Sequence, residues 1–200
     1  MKNFPLEMRP LRRLVCTLAL VVAVVLTAGA CSGDGATSNS PEENAKAAST
    51  ALDAGLKAHA AGDLTTATTE YLNVQKYDPR NKFAFYNLAL IDESNSNYGL
   101  ATTKYRSAIE TDAVYEPALF NLAILRTTAD PQEAIELYKR AVKANPKDAA
   151  ALLNLGLLLR ANGEKKTGDK YVLKAIVLNP KLQDPAKGSK ASGSSTKPSS

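Results

Sequence analysis

Tryptophan is absent from this 200-residue chain, histidine occurs once, as His59, and cysteine twice, as Cys16 and Cys31. Each scarcity excludes something. One histidine and two cysteines cannot assemble a His/Cys transition-metal centre, so no metal and no other cofactor is expected. Two cysteines do not make a disulfide scaffold. No apolar run reaches the roughly 20 residues of a comfortable bilayer span; the longest, Leu14 to Ala28, has 15. No Walker loop, GxGxxG turn or serine-centred elbow is present, and catalysis is not expected. Charge of one sign is also missing where it would matter. The net +5 sits at the ends: without residues 1–30 and the tail from Lys181, 17 cationic side chains face 18 acidic ones. A near-neutral body gives no electrostatic footprint for nucleic acid. What remains, 44% apolar and 22% charged residues, is ordinary for one globular domain.

The first thirty residues read as an address. Lys2, Arg9, Arg12 and Arg13 precede the apolar run, and Gly29 and Ala30 follow it, as in a secretory signal peptide over 1–30. The stretch Ala28-Gly29-Ala30-Cys31 resembles a bacterial lipobox, with Ala28 where that family most often has leucine. The resemblance implies that Cys31 carries a covalent palmitate-type lipid and becomes the mature N-terminus. The protein is then expected at the cell envelope, outside the cytoplasm and lipid-anchored to a membrane. The plainer alternative is a cleaved signal peptide that happens to end at a cysteine. Residues 31–40 are rich in Gly, Ser, Thr and Asn and form a flexible tether, with a reach of roughly 15–18 Å. Ser40, Pro41 and Glu43 then carry the signals of a helix start: a cap, a first-turn proline and a capping box.

The body repeats itself. Aligning Gly62-Asp63, Ser96-Asn97 and Gly163-Glu164 brings four units into register: 48–81, 82–115, 116–148 and 149–182. One residue is missing from the third unit near Asp130-Pro131. Leu88, Leu122 and Leu155 recur at one point of a first helix. Ala67, Ala101, Ala134 and Gly168 open a second helix, and Tyr71, Tyr105, Tyr138 and Val172 follow four residues on. Asp78-Pro79, Asn145-Pro146 and Asn179-Pro180 close their units, because proline cannot continue a helix. Unit two closes on Asp112-Ala113, which suggests a softer junction.

This grammar resembles the tetratricopeptide repeat (TPR), a helix–turn–helix of about 34 residues. The resemblance implies an all-α fold, a right-handed superhelical solenoid of about four repeats, within a domain spanning 41–182. It also implies a concave side lined by the first helices and a role in binding other proteins. Unit one departs most from the pattern, with Ala54-Gly55 where larger residues are usual.

The resemblance places one inward position at Asp53, Asn87, Asn121 and Asn154, similar to the asparagine ladders with which some TPR proteins hold an extended peptide. Asparagine is also simply common there. Beside it run Leu52, Leu56, Tyr86, Leu90, Phe120, Ile124, Leu153 and Leu157, a candidate peptide groove, part of which is expected to serve as ordinary packing. Arg160 is the one clear cation on this face, too little to clamp an acidic C-terminus. The last helix is unusual. Leu173 and Val177 stand where units two and three have Arg106, Glu110, Lys139 and Lys143. Residues 183–200 are Gly-, Ser- and Lys-rich, expected to be disordered and to supply no capping helix. Three uses follow: a groove scaffold for another envelope protein or peptide segment, an end-on subunit or homo-oligomer through Leu173 and Val177, and a glycan or small-ligand binder using Tyr86 and Phe120.

Overall fold

The computed structural model describes residues 40–184; the expected signal peptide, Cys31, the tether up to residue 39 and the tail from residue 185 lie outside the described residues. Among the described residues there are eight helices and no strand: α1 (Pro41–Ala60), α2 (Leu64–Tyr77), α3 (Lys82–Ser94), α4 (Tyr98–Thr111), α5 (Glu116–Arg126), α6 (Pro131–Ala144), α7 (Ala149–Ala161) and α8 (Lys165–Leu178). They pack as four hairpins, α1/α2, α3/α4, α5/α6 and α7/α8, each resting on the next through its second helix.

Local chemistry sets the boundaries. At the start of α1 the Glu43 N–H donates to Ser40 Oγ (3.2 Å), and the Ser40 N–H donates to Glu43 Oε2 (2.7 Å), the expected capping box. Asp63, Asn81, Asp130 and Asp148 cap α2, α3, α6 and α7 with their side chains. Within three of the hairpins the chain reverses through a residue with positive φ: Gly62 (79°), Ser96 (63°) and Gly163 (90°). The third turn lacks one, and the residue missing from that unit is the one that would occupy this place. Between hairpins, Asp78, Asn145 and Asn179 turn to extended backbone ahead of their prolines. Asp112 adopts the same conformation without a proline, at φ −138° and ψ 100°. Its carboxylate is held by Lys82 Nζ (2.5 Å) and the Val114 N–H (3.1 Å), so ionic contacts fix the junction that looked softer in sequence.

The hairpins close on small residues. Ala67, Ala101 and Ala134 are fully buried, and Gly168 is buried at the equivalent place. They lie on the second helices; Gly55, Ala89, Ala123 and Gly156 occupy one shared position on the first. In unit one the departure from larger residues lies at Ala54, where the other units have Leu88, Leu122 and Leu155, whereas Gly55 keeps the small-residue position for a steric reason. A Cβ on Gly55 would stand 2.7 Å from the Tyr71 ring, so the glycine makes room for that tyrosine. In the fourth hairpin a Cβ on Gly156 would stand 2.8 Å from the carbonyl oxygen of Gly168, so α7 and α8 touch backbone to backbone.

Three buried tyrosines then fill the space beside the small residues, and each hydroxyl finds a partner. Tyr71 meets His59 Nδ1 at 3.3 Å, Tyr105 donates to Glu93 Oε2 at 2.7 Å, and Tyr138 accepts from Asn154 Nδ2 at 3.4 Å with Thr127 beside its hydroxyl. His59, Glu93 and Thr127 share one repeat position. Arg160 holds that position in unit four, where Val172 replaces the tyrosine. No buried side-chain polar atom among the described residues lacks a partner.

Candidate interaction surface

The first helices supply the candidate surface. Leu52, Tyr86, Phe120 and Leu153 recur at one position, and Leu56, Leu90, Ile124 and Leu157 at another, four residues further along each helix. One turn separates the two positions, so they share a stripe on each helix. None of the eight is fully buried; Leu56 is 45% and Ile124 43% exposed. The adjoining positions sink inward, as Leu88, Leu122 and Leu155 do. The stripe is thus continuous through all four units and unequal in exposure. Leu52, Tyr86, Leu90 and Phe120 lean on the core clusters, while Leu56 and Ile124 stand clear.

The aromatic members are tied down. Tyr86 packs edge-on against Tyr115, with ring centroids 5.5 Å apart, and tilted against Tyr105 at 5.9 Å. Phe120 sits edge-on to Tyr138 at 5.9 Å. Both rings are thereby braced by their neighbours. Burial raises the hydroxyl pKa of Tyr86 and Tyr105, and pushes that of Tyr115 up to about 12, so all three stay neutral donors.

The asparagines have a role within the fold. Asn121 Nδ2 donates to Tyr86 Oη (3.3 Å) and Tyr105 Oη (3.4 Å), both in the preceding unit. Asn154 Nδ2 donates to Tyr138 Oη (3.4 Å), again one unit back. Asn87 is buried and donates to the Phe83 carbonyl of its own helix (2.8 Å). The amide of Asn121, with both hydrogens engaged, keeps its oxygen as the group able to meet a peptide N–H. The Asn121 and Asn154 bonds lace one repeat to the next, a contribution that sequence spacing alone did not reveal.

Arg160 is placed differently from the open cation suggested by the sequence. Its guanidinium grips Asp184 in a fork, at 2.7 and 3.0 Å, and reaches Asp169 Oδ1 at 2.6 Å. Asp184, only 7% exposed, draws the segment after α8 back toward α7 and α8. Arg160 therefore belongs to the C-terminal end of the stack. Leu173 and Val177 lie there too, 61% and 72% exposed.

Two further features were missed in sequence. Ile124 also lines a cleft of about 500 Å³ with Tyr98, Thr102, Leu125 and Arg126, where the start of α4 meets the end of α5. Glu116 and Asp148, 32 residues apart, share a hydrogen bond that together with burial pushes the Glu116 carboxyl up to about 7. Asp148 also accepts from the Ala150 and Ala151 N–H groups. No group of three or more His, Cys, Asp or Glu side chains among the described residues is placed to hold a metal ion.

Residues 124–168 match the tetratricopeptide repeat family model. The matched stretch runs from the end of α5 to the start of α8, within the eight-helix architecture. The fold is that of a tetratricopeptide-repeat solenoid. Solved TPR-containing structures superpose on the domain. MamA does so with a TM-score of 0.60 at 21% identity, over 70% of this chain and 82% of MamA. PilF of Pseudomonas aeruginosa gives a TM-score of 0.61 at 21% identity, over 70% of this chain and 64% of PilF. A tetratricopeptide repeat protein of Parabacteroides merdae gives 0.60 at 21% identity, over 68% of this chain and 55% of its own. At these identities the likeness is one of fold. Photosystem I assembly protein Ycf3 of Cyanophora paradoxa is 28% identical over 103 residues, 48% of this chain and 60% of the relative's length. A TPR domain is a platform for binding other proteins, and its partner is set by surface residues rather than by the fold.

Proposed function

We propose that this protein is an extracytoplasmic scaffold of a bacterial envelope, anchored to a membrane by lipid on Cys31. It holds an extended or helical segment of a partner protein against its first-helix face. The observation that carries the reading is the stripe of eight apolar side chains, incompletely buried in every unit and most open at Leu56 and Ile124. An apolar stripe flanked by hydrogen-bonding groups suits a peptide or amphipathic helix, and the Asn121 amide oxygen lies beside it. The likeness to a protein named for assembly supports a scaffold that helps build a larger machine. The anchor rests on the lipobox-like Ala28-Gly29-Ala30-Cys31 and the polar tether after it.

Both parts are open to test in cells. Leu56→Asp combined with Ile124→Asp should abolish recovery of the partner while leaving helicity unchanged, since both side chains are already well exposed. Recovery at the parental level would overturn the groove. Cys31→Ser should lose incorporation of an alkyne-labelled fatty acid; retained labelling would remove the anchor from the account.

A further inference from the structure

The solenoid ends asymmetrically. Where first helices meet the preceding unit, units two to four present Ala84, Ala118 and Ala151, then Leu88, Leu122 and Leu155, then Ile91, Leu125 and Leu158. Unit one has Thr50, Ala54 and Lys57 at those places, so the N-terminal end is finished with small and polar groups. The C-terminal end is not. On α4 the residues Arg106, Ile109 and Glu110 border the next unit, sharing a crevice with Leu122 of α5 and Leu137 of α6. Ile109 is buried there, while Arg106 and Glu110 form its exposed charged rim; their equivalents on α8, two repeat periods on, are Ile176 and the apolar Leu173 and Val177. There the face opens into a cleft of about 600 Å³ whose lining includes Arg160, Asp169, Val172, Leu173, Ile176 and Asp184. Beside the apolar row runs a cationic one, Lys166, Lys170 and Lys174, spaced four apart and all exposed. Asp169, the one acid within α8, is paired to Arg160.

We propose that this face of α8 is a docking site for an acidic amphipathic helix of a partner protein, seated where the first helix of a fifth repeat would pack. The apolar row supplies burial and the lysine row selects acidic flanks. Other occupants fit less well. A second copy stacked head to tail would bring Thr50, Ala54 and Lys57 to the cleft, and a face-to-face copy would set one lysine row against another. Residues 185–200 contain no Leu, Ile, Val, Met or aromatic residue with which to fill it.

The test is binding of a fluorescent, hydrocarbon-stapled peptide to the full chain in zwitterionic lipid nanodiscs, with empty nanodiscs as reference. The peptide carries Ala, Leu and Leu at the spacing of Ala151, Leu155 and Leu158, flanked by glutamates; a second peptide carries lysines instead. Saturable binding of the acidic peptide is expected. Leu173→Asp and Val177→Asp should weaken it at least tenfold, Lys170→Glu with Lys174→Glu severalfold, and Ile124→Asp not at all. The last variant separates this site from the first-helix face, so either reading can fail alone. Because Leu173 and Val177 are exposed, helicity of the variants should match the parent. Three results would each overturn the proposal: no saturable binding, equal binding of the lysine peptide, or loss of binding on Ile124→Asp rather than Val177→Asp. A dimer in sedimentation that Val177→Asp dissociates would also overturn it, since the occupant would then be a second copy.

Discussion

Adding a single methyl group at Gly156 tests how closely the fourth hairpin is packed. A Cβ there would lie 2.7 Å from Val172 Cγ2, 2.8 Å from the Gly168 carbonyl oxygen and 2.8 Å from the Val172 nitrogen. Favourable carbon contacts lie at about 3.5–4.0 Å, so each overlap approaches 1 Å. Two of the three obstacles are backbone atoms, which no rotamer change can move; α8 must shift as a body. Overpacking of this kind costs about 1–3 kcal/mol. Replacing a mid-helix glycine by alanine returns about 1 kcal/mol of helix propensity. Gly156→Ala should therefore destabilise by up to about 2 kcal/mol, read as a lower urea midpoint or a melting temperature reduced by up to about 8 °C. Gly99→Ala provides the control: it lies in α4 with nothing within 4 Å of a new Cβ, and should stabilise by about 0.5–1 kcal/mol. If Gly156→Ala proved as stabilising as Gly99→Ala, the close α7–α8 crossing would be refuted.

Two other consequences concern conformation and protons. Ser96 holds a left-handed conformation that Gly62 and Gly163 occupy without strain, so Ser96→Gly should stabilise by about 0.5–1 kcal/mol in chemical denaturation; a loss of stability would show that the Ser96 side chain contributes more than its backbone costs. The Glu116 carboxyl, raised from an ordinary 4.5 to about 7, binds its proton more tightly in the folded chain than in the unfolded one. Its contribution is fully present below about pH 4.5 and is lost as pH rises through about 7. Glu43, Asp63 and Asp112 are shifted the other way by their hydrogen bonds and favour folding above the acid range. Between pH 5 and 8 Glu116 therefore makes the melting temperature fall. Glu116→Gln should flatten that slope and raise the melting temperature at pH 8; an unchanged slope would show that the shared proton with Asp148 does not govern it.

Much of the fold was legible because a repeat states its rules four times. The recurrence of Ala67, Ala101, Ala134 and Gly168, with an aromatic or branched residue four positions later, identified the hairpin crossings without reference to coordinates. The stripe was legible for the same reason. Pairings across units were not. Asn121 looked like a ligand group because its bonds to Tyr86 and Tyr105 span 35 and 16 residues. Arg160 looked free because Asp184 lies 24 residues away, beyond the last repeat. Exposure at the end of the stack could be guessed from Leu173 and Val177. The asymmetry between the two ends became clear once Ile109, the internal equivalent of Ile176, was seen to be buried against a neighbour, with exposed Arg106 and Glu110 as its charged rim.

The central claim, that the first-helix face carries a partner, is tested most directly by photo-crosslinking in living cells with Cys31 intact. A photoreactive residue is placed singly at Leu56, at Ile124 and, as a reference off the first helices, at exposed Lys143 on α6. The account predicts that Leu56 and Ile124 give the same discrete adduct, identified by mass spectrometry as one protein, and that Lys143 gives none. Absence of an adduct at both groove positions, or an equal yield of the same adduct at Lys143, would contradict it.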